Sequence, residues 1–469
     1  MDENTPKIGY NKAGVGIGLA AFAVLFAYTF VYAFRVPFAD HWDEIHFLIQ
    51  HEAGNTGWFF AIHGGHWHST GYAVNMALTA LTGFNPVNES LASVVLGGLA
   101  CIVMMPTAAR MAPTGRRPVI ASGLAAILLL SLDQASNWLW GWQTAVFVNI
   151  LGCVSFTVLA CSDRFGWLQF FGMMMSALVA IFAFATALAL PFIGLLVIAF
   201  RAWGPTKREP ASVLHFLAWA IFTMCISALY WTSLTQVSAL AGITSGDLAP
   251  GGILELVSYL AQFVLAYIGA AISGGTDTAA FVAMLIGSIC LIYAVRRSIQ
   301  RGDTIDDILP SLILMAIALG AAGFTALGRS DYGHMQALVS RYLSFSSLFW
   351  LGAGLWFLRV LPPLSALKSK PSSGLIMFTV CLAILCLAKT ENIVRAAENG
   401  MELSNQLSES AQTLKAEYPD ISTELIYSLG QVGGPKSHER IRRDIQYLYD
   451  NGLPPFQTRD AKTANQGEP

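Results

Sequence analysis

Of 469 residues, 55% are hydrophobic and only 12% charged, with a mean hydropathy of +0.55. A soluble domain carries about twice that charge fraction, so an ordinary soluble protein is excluded. A net charge of −2, without surplus Lys and Arg to neutralise phosphates, excludes a nucleic-acid surface.

The apolar runs have the length that a hydrocarbon core of about 30 Å demands of a crossing helix. They predict an all-α fold, a polytopic transmembrane helical bundle of about eleven spans, with roughly ten to thirteen compatible with the run lengths. Residues 13–34, behind Lys7 and Lys12, are too long for a signal-peptide core and lack a small-residue cleavage site. They form a retained first span with a cytoplasmic N-terminus. Further spans are expected near 89–109, 118–132, 143–161, 168–184, 186–200, 211–233, 276–295, 309–328, 342–358 and 373–390.

Alternate threading places Arg110/Arg116/Arg117, Arg164, Arg201/Lys207/Arg208, Arg296/Arg297/Arg301 and Arg359/Lys368/Lys370 on the N-terminal side, as the positive-inside rule requires. The opposite face takes residues 36–88, 133–142 and 234–275, which contain no Lys or Arg; Arg35, Arg329 and Arg341 are its exceptions. Two stretches depart from simple threading. Counting 253–272 as a span would put Arg296 and Arg297 outside, so an interfacial or re-entrant helix is expected there. The run 168–200 is short for two spans and predicts a broken pair meeting near Phe184 to Leu190.

Beyond residue 391 the chain turns polar. The division is therefore a transmembrane domain over 1–390, with short helices in its long first extracytoplasmic loop, and a small, mostly helical extracytoplasmic tail over 391–469. The tail's end, past about residue 458, is expected to be disordered. No internal repeat of the inverted-repeat transporter kind is visible. The seven cysteines lie in or beside apolar runs without a CxxC pair and read as small hydrophobes.

Three constellations carry polar chemistry. Asp40, Asp43 and Glu44 follow the first span directly. Three carboxylates so close repel one another unless a cation, a proton or a donor compensates. On a helix they share one face by three- and four-residue spacing. They read as a general base with room for a divalent cation at Asp43 and Glu44, or as a solvated acidic cap. The same loop holds six of the nine histidines, including His63, His66 and His68. Their spacings are not a zinc signature, and hydrogen bonding to substrate or loop structure is the stronger reading. A second loop, Asn137 to Gln143, interleaves Trp138, Trp140 and Trp142. These tryptophans are expected as interface anchors, with Asn137 and Gln143 available to orient a polar ligand. The third constellation is Gly328-Arg329-Ser330-Asp331 and Arg341-Tyr342. Arginine on a face stripped of positive charge suits a lipid phosphate, or else a structural ion pair with Asp331 or the first-loop carboxylates.

Together, Asp40 to Glu44, Asn137 to Gln143, Gly328-Arg329 and Ser340-Arg341-Tyr342 resemble the GT-C superfamily of multi-pass glycosyltransferases, especially bacterial members that modify surface glycans. The likeness covers most of the chain in topology and about 30 residues in motifs. It lacks the large lumenal domain of eukaryotic-type members. The resemblance implies a hexosyl- or pentosyltransferase of the bacterial inner membrane, moving a sugar with inversion from a polyprenyl-phosphate donor to a glycan, lipid or protein acceptor. It implies Asp40 or Asp43 as general base and Arg329 and Arg341 on the departing phosphate. Glu44, His66, His68, Trp142, Gln143 and Tyr342 would line the substrate site among membrane lipids, with no cofactor specified and a divalent cation left open. The rival readings are a transporter or flippase for a lipid-linked or anionic substrate, and an acyltransferase using His63, His66 or His68 as base.

Overall fold

The computed structural model describes residues 12–456 apart from 65, 113–114, 207, 209, 241–252, 330–332, 363–371 and 431–434. The structure is almost wholly helical. In chain order the helices are α1 (Lys12–Tyr32), α2 (His41–Glu52), α3 (Ser69–Thr82), α4 (Pro86–Met111), α5 (Arg117–Leu129), α6 (Ala135–Leu139), α7 (Thr144–Ala160), α8 (Trp167–Ile181), α9 (Leu190–Trp203) and α10 (Val213–Leu240). They continue as α11 (Ile253–Ser273), α12 (Asp277–Arg301), α13 (Ile305–Gly328), α14 (Leu343–Val360), α15 (Ser373–Glu417), α16 (Thr423–Ser428) and α17 (Pro435–Asp450). One small hairpin, β1 (Ile62–His63) and β2 (His66–Trp67), interrupts the first loop. Among the described residues, eleven helices are long and apolar enough to cross a membrane. The chain is a multi-pass membrane protein.

The number of such helices matches the expectation, but the membership differs. Residues 168–184 supply only the 15-residue α8, whereas α11 joins the eleven. At the break between α8 and α9, donors from elsewhere hold the carbonyls at the end of α8 and in the turn that follows it. Asn149 Nδ2 donates to the carbonyls of Ala180 and Phe184, both at 2.8 Å, Tyr230 Oη to that of Ile181, the Thr70 hydroxyl to that of Val179, and the Thr70 backbone N–H to that of Phe182.

Ion pairs define one end of the bundle. Arg110 meets Asp163, Arg208 meets Asp306, and Arg359 meets Asp303 and Asp307. The buried Arg201 donates to the carbonyls of Ala160 and Ser162, and Arg301 to that of Arg359. Basic clusters far apart in sequence thus share a single end. Lys207, Lys368 and Lys370 of those clusters lie outside the described residues.

At the opposite end the first loop, the 133–143 segment and the 333–342 segment come together. The N–H of Phe34 donates to the Leu139 carbonyl at 2.9 Å, and Asn137 Nδ2 to the carbonyl of Ser340 at 3.0 Å. Both halves of α11 contact this end. Tyr259 Oη donates to the Ala326 and Arg329 carbonyls, while the Ala271 carbonyl accepts from Lys389, which is paired with Asp133. A helix whose two halves both touch the same end runs across the bundle rather than along it.

Helix α15 spans 45 residues, about 65 Å at 1.5 Å per residue, and carries the chain beyond the bundle without a break at 391. Its distal half, α16 and α17 then fold back. Leu407, Leu414, Ile421, Leu425, Ile441 and Ile445 share a hydrophobic core with Phe34, Trp42, Ile45, Trp58 and Trp140 of the first two loops. This cap core is separate from the larger core inside the bundle. The tail's end, expected to be disordered, lies outside the described residues.

Candidate active site

The site is built outward from the end of α1. Ala39 is the only non-glycine residue at positive φ (+49°) among the described residues, and it stands directly before Asp40. An L-residue held there costs roughly 1–2 kcal/mol, so surrounding contacts must fix it. Its N–H donates to the Leu429 carbonyl of the tail at 2.9 Å. After this bend α2 begins, and its periodicity divides the acidic cluster. His41, Glu44, Ile45 and Leu48 form the buried stripe at i, i+3, i+4 and i+7, whereas Asp40 and Asp43 face outward.

The face expected to carry all three carboxylates therefore carries two. Glu44 turns inward, where it accepts from Asn75 Nδ2 at 2.8 Å and lies 3.7 Å from His41 Nε2. The pair Asp43 and Glu44, expected together as metal ligands, is divided between two clusters, because adjacent helical residues point about 100° apart.

The β1–β2 hairpin brings His63 between the two outward carboxylates. His63 Nδ1 lies 2.9 Å from Asp43 Oδ2, and Nε2 lies 3.5 Å from Asp40 Oδ2. Arg341 Nη1 stands 3.6 Å from Asp40 Oδ2, and Arg440 of α17 binds Asp43 Oδ1. Arg329 lies against the hairpin tip, 3.0 Å from where a Cβ on Gly64 would stand, and its charge also reaches Asp40. Burial alone would raise both aspartates. The hydrogen bonds and charge of His63, with Arg341 and Arg329 at Asp40 and Arg440 at Asp43, outweigh it and hold both below the usual carboxylate range. Burial would lower His63, yet its bonds to the two aspartates raise it to about 9. At neutral pH the cluster interleaves two carboxylates with the cationic groups His63, Arg329, Arg341 and Arg440.

Behind this face lies an aromatic wall. His66 contacts Phe184 at 5.0 Å between ring centroids, His68 contacts Trp142 at 5.9 Å, and His63 contacts Trp142 at 5.2 Å. Burial, then the charge of nearby cations, pushes His66 down to about 3, and His68 also falls well below the usual imidazole range. Both shifts favour the neutral ring.

No protein-family model matches this sequence, and no curated protein does. Among solved structures the chain is similar to the oligosaccharyltransferase of Archaeoglobus fulgidus tethered with an acceptor peptide, at 13% identity over 89% of this chain and 59% of that one, TM-score 0.40. It is similar to the same enzyme in complex with Zn and sulfate, at 12% identity over 89% and 57%, TM-score 0.41. It is also similar to the archaeal oligosaccharyltransferase AglB from that organism, in complex with an inhibitory peptide and a dolichol-phosphate, at 13% identity over 89% and 60%, TM-score 0.39. The chain thus spans about three-fifths of the length of the structures it matches. Likeness of this degree assigns neither an activity nor a ligand to it.

Several expected residues occupy other places. Trp138, Trp140 and Trp142 are buried in protein rather than set at an interface: Trp138 stacks on Phe147, Trp140 packs on Phe38 and Trp142 on the histidine wall. They fill the junction between bundle and cap. Asn137 donates to the Ser340 carbonyl and Ser344 Oγ, which fixes the turn carrying Arg341 instead of a ligand. Gln143 is buried in the turn at the N-terminus of α7, and Tyr342 stacks on Tyr267 inside the core. Asp331 lies outside the described residues. The bridging role of His63 and the contribution of Arg440 have no local signal. The nearest hint is that Arg440, Arg443 and Tyr447 recur along one face of α17, where they meet Asp43, His46 and Glu52.

Proposed function

We propose that this protein is an integral-membrane glycosyltransferase that moves a hexose or pentose from a polyprenyl-phosphate donor to an acceptor hydroxyl at the extracytoplasmic face. The observation that carries the reading is the convergence of Asp40, Asp43, His63, Arg329 and Arg341 on the end of the bundle away from its basic clusters. By the positive-inside rule that end is extracytoplasmic, where a membrane-dissolved donor is available and nucleotide sugars are not.

Asp40 acts as the general base. Its contacts with His63 and Arg341, at 3.5 and 3.6 Å, are longer than the 2.9 Å contact that His63 makes with Asp43, and it is 32% exposed, so an acceptor hydroxyl has access to it. Asp43 is held more tightly, by His63 and Arg440 together, and serves as the anchor that orients His63. The acceptor oxygen, losing its proton to Asp40, attacks the anomeric carbon from the face opposite the phosphate. The bond from that carbon to the phosphate oxygen breaks, and configuration inverts. Arg341 and Arg329 stabilise the charge that collects on the departing lipid phosphate, as preorganised cations do in a site with little water. The acceptor is a glycan, lipid or protein hydroxyl.

Transport would favour ionisable groups midway along the spans. Glu89 sits in the first turn of α4, Arg201 in the last turn of α9, and Asp133 between helices, all at the bundle's ends. Transfer is therefore the better reading.

The test is turnover of a polyprenyl-phosphate sugar by Asp40→Asn, Asp43→Asn and Arg329→Ala variants that insert normally. Loss of a general base costs roughly 10²- to 10⁴-fold, expected at Asp40. Turnover near wild type in all three variants would sink the assignment.

A further inference from the structure

Beneath the Asp40–Asp43 face, on the inner side of α2, lies a cluster the proposed reaction does not use. His41, Glu44 and Glu89 are each at most 1% exposed, and one ligand atom from each lies within 4.8 Å of the others. His41 Nε2 stands 2.7 Å from Glu89 Oε2 and 3.7 Å from Glu44 Oε2. The shorter contact lacks hydrogen-bond geometry. Both its atoms, with Glu44 Oε1 and Glu89 Oε1, have no hydrogen-bond partner. Their lone pairs converge on shared space, where the two carboxyls also approach each other.

Two carboxylates kept dry are strongly disfavoured unless charge compensates. Among the described residues, no lysine or arginine forms an ion pair with either. Asn75 Nδ2 reaches only Glu44 Oε2, and the N-terminus of α4 lends Glu89 partial positive charge. Neither neutralises the pair. A divalent cation would, giving two carboxylates, one neutral imidazole and a net charge of zero. Zinc–ligand bonds are about 2.0–2.2 Å, so two ligand atoms on one ion lie at most roughly 4 Å apart, and both distances from His41 fall inside that limit. Mixed imidazole and carboxylate donors suit a borderline cation better than Mg²⁺.

We propose that His41, Glu44 and Glu89 bind one divalent cation of the Zn²⁺ class, which clamps the first turn of α2 to the first turn of α4. The ion is structural. It fixes the backbone that presents Asp40 and Asp43 while lying behind them. Gly141 closes the site from above, since a Cβ there would stand 2.5 Å from Glu89 Oε2.

The experiment uses the full chain in detergent, measuring metal content and melting temperature before chelation, after chelation, and after return of Zn²⁺ or Mg²⁺ alone. About one Zn²⁺ per chain is expected, with melting lowered by several degrees on removal and restored by Zn²⁺ but not Mg²⁺. Glu89→Gln and Glu44→Gln should lose the ion, and Asp43→Asn should keep it. Should the glutamine variants fail to insert, X-ray absorption of Zn²⁺-loaded wild type decides, with a shell of one imidazole nitrogen and carboxylate oxygens supporting the site. Wild type that takes up no Zn²⁺ and melts alike with and without chelator overturns the proposal, leaving a proton shared by the two glutamates. Retention by Glu89→Gln with loss in Asp43→Asn also overturns it by moving the metal to the outer face. None of these readouts depends on glycosyl transfer.

Discussion

Replacing His63 with Gln removes the cation between Asp40 and Asp43 but leaves a side chain of similar reach. His63 titrates at about 9 in the folded protein, against 6.5 for an ordinary histidine. A group raised in this way adds stability that is complete below pH 6.5 and disappears as pH climbs through 9. With one pH unit equal to about 1.4 kcal/mol, the contribution is about 3 kcal/mol at pH 6, about 2 kcal/mol at pH 7.5 and near zero at pH 10. The aspartates act in the opposite sense. Held below the usual carboxylate range, they contribute above that range and lose their contribution as pH falls through their lowered values. The cluster is therefore strongest between mildly acidic and neutral pH. Thermal melts of wild type and His63→Gln in detergent from pH 6 to pH 10 should converge as pH rises. A gap equally wide at pH 6 and pH 10 would show that His63 acts by packing alone, and the electrostatic account of the site would fall.

Three further substitutions probe the frame around the cluster. Arg440→Gln removes the tail's cation from Asp43; because the pair is partly exposed, the loss is about 1 kcal/mol, read as roughly fivefold faster hydrogen exchange along α17, and unchanged exchange would refute the docking role. Asp133→Asn leaves Lys389 buried without its charge partner and should cost about 3–5 kcal/mol in a melt, while the double change Asp133→Leu with Lys389→Met should recover most of it; no recovery would assign the loss to packing. Gly141→Ala places a methyl 2.5 Å from Glu89 Oε2 and 2.9 Å from the Pro86 carbonyl, for a loss of about 1–3 kcal/mol by overpacking, and a variant as stable as wild type would contradict the close approach.

The bundle was legible in the sequence because the bilayer imposes a length and the positive-inside rule a polarity, and both are written locally. Asp40, Asp43, Arg329 and Arg341 were legible as candidates because charge is conspicuous on a face otherwise without lysine or arginine. Their partners were not. His63 is one of six histidines in the first loop, and only the turn at Gly64 aims it at the aspartates. Glu44 looks like its neighbour Asp43 until the register of α2 turns it inward. The tryptophans of 138–142 misled for a related reason, since an aromatic that anchors to lipid headgroups and one that seals two protein layers have the same local sequence. The break after α8 was visible as a shortage of residues, but the donors that stabilise it, Asn149, Thr70 and Tyr230, come from three other segments.

The tail illustrates how such long-range closure bears on chemistry. By composition, residues beyond 391 are an ordinary polar appendage, yet they contribute at three points within a few residues of Asp40. Leu429 accepts the N–H of the strained Ala39, Gly430 packs where a Cβ would press on Phe38, and Arg440 grips Asp43. Without that hold Ala39 has no reason to keep a positive φ, and relaxation toward an ordinary conformation would turn the next residue, Asp40, away from His63 and Arg341. The carboxylate pair is thus set by agreement among the end of α1, the hairpin and the tail. The first turn of α2, packed against α4 through His41, Glu44 and Glu89, supplies the fixed base from which that agreement is made.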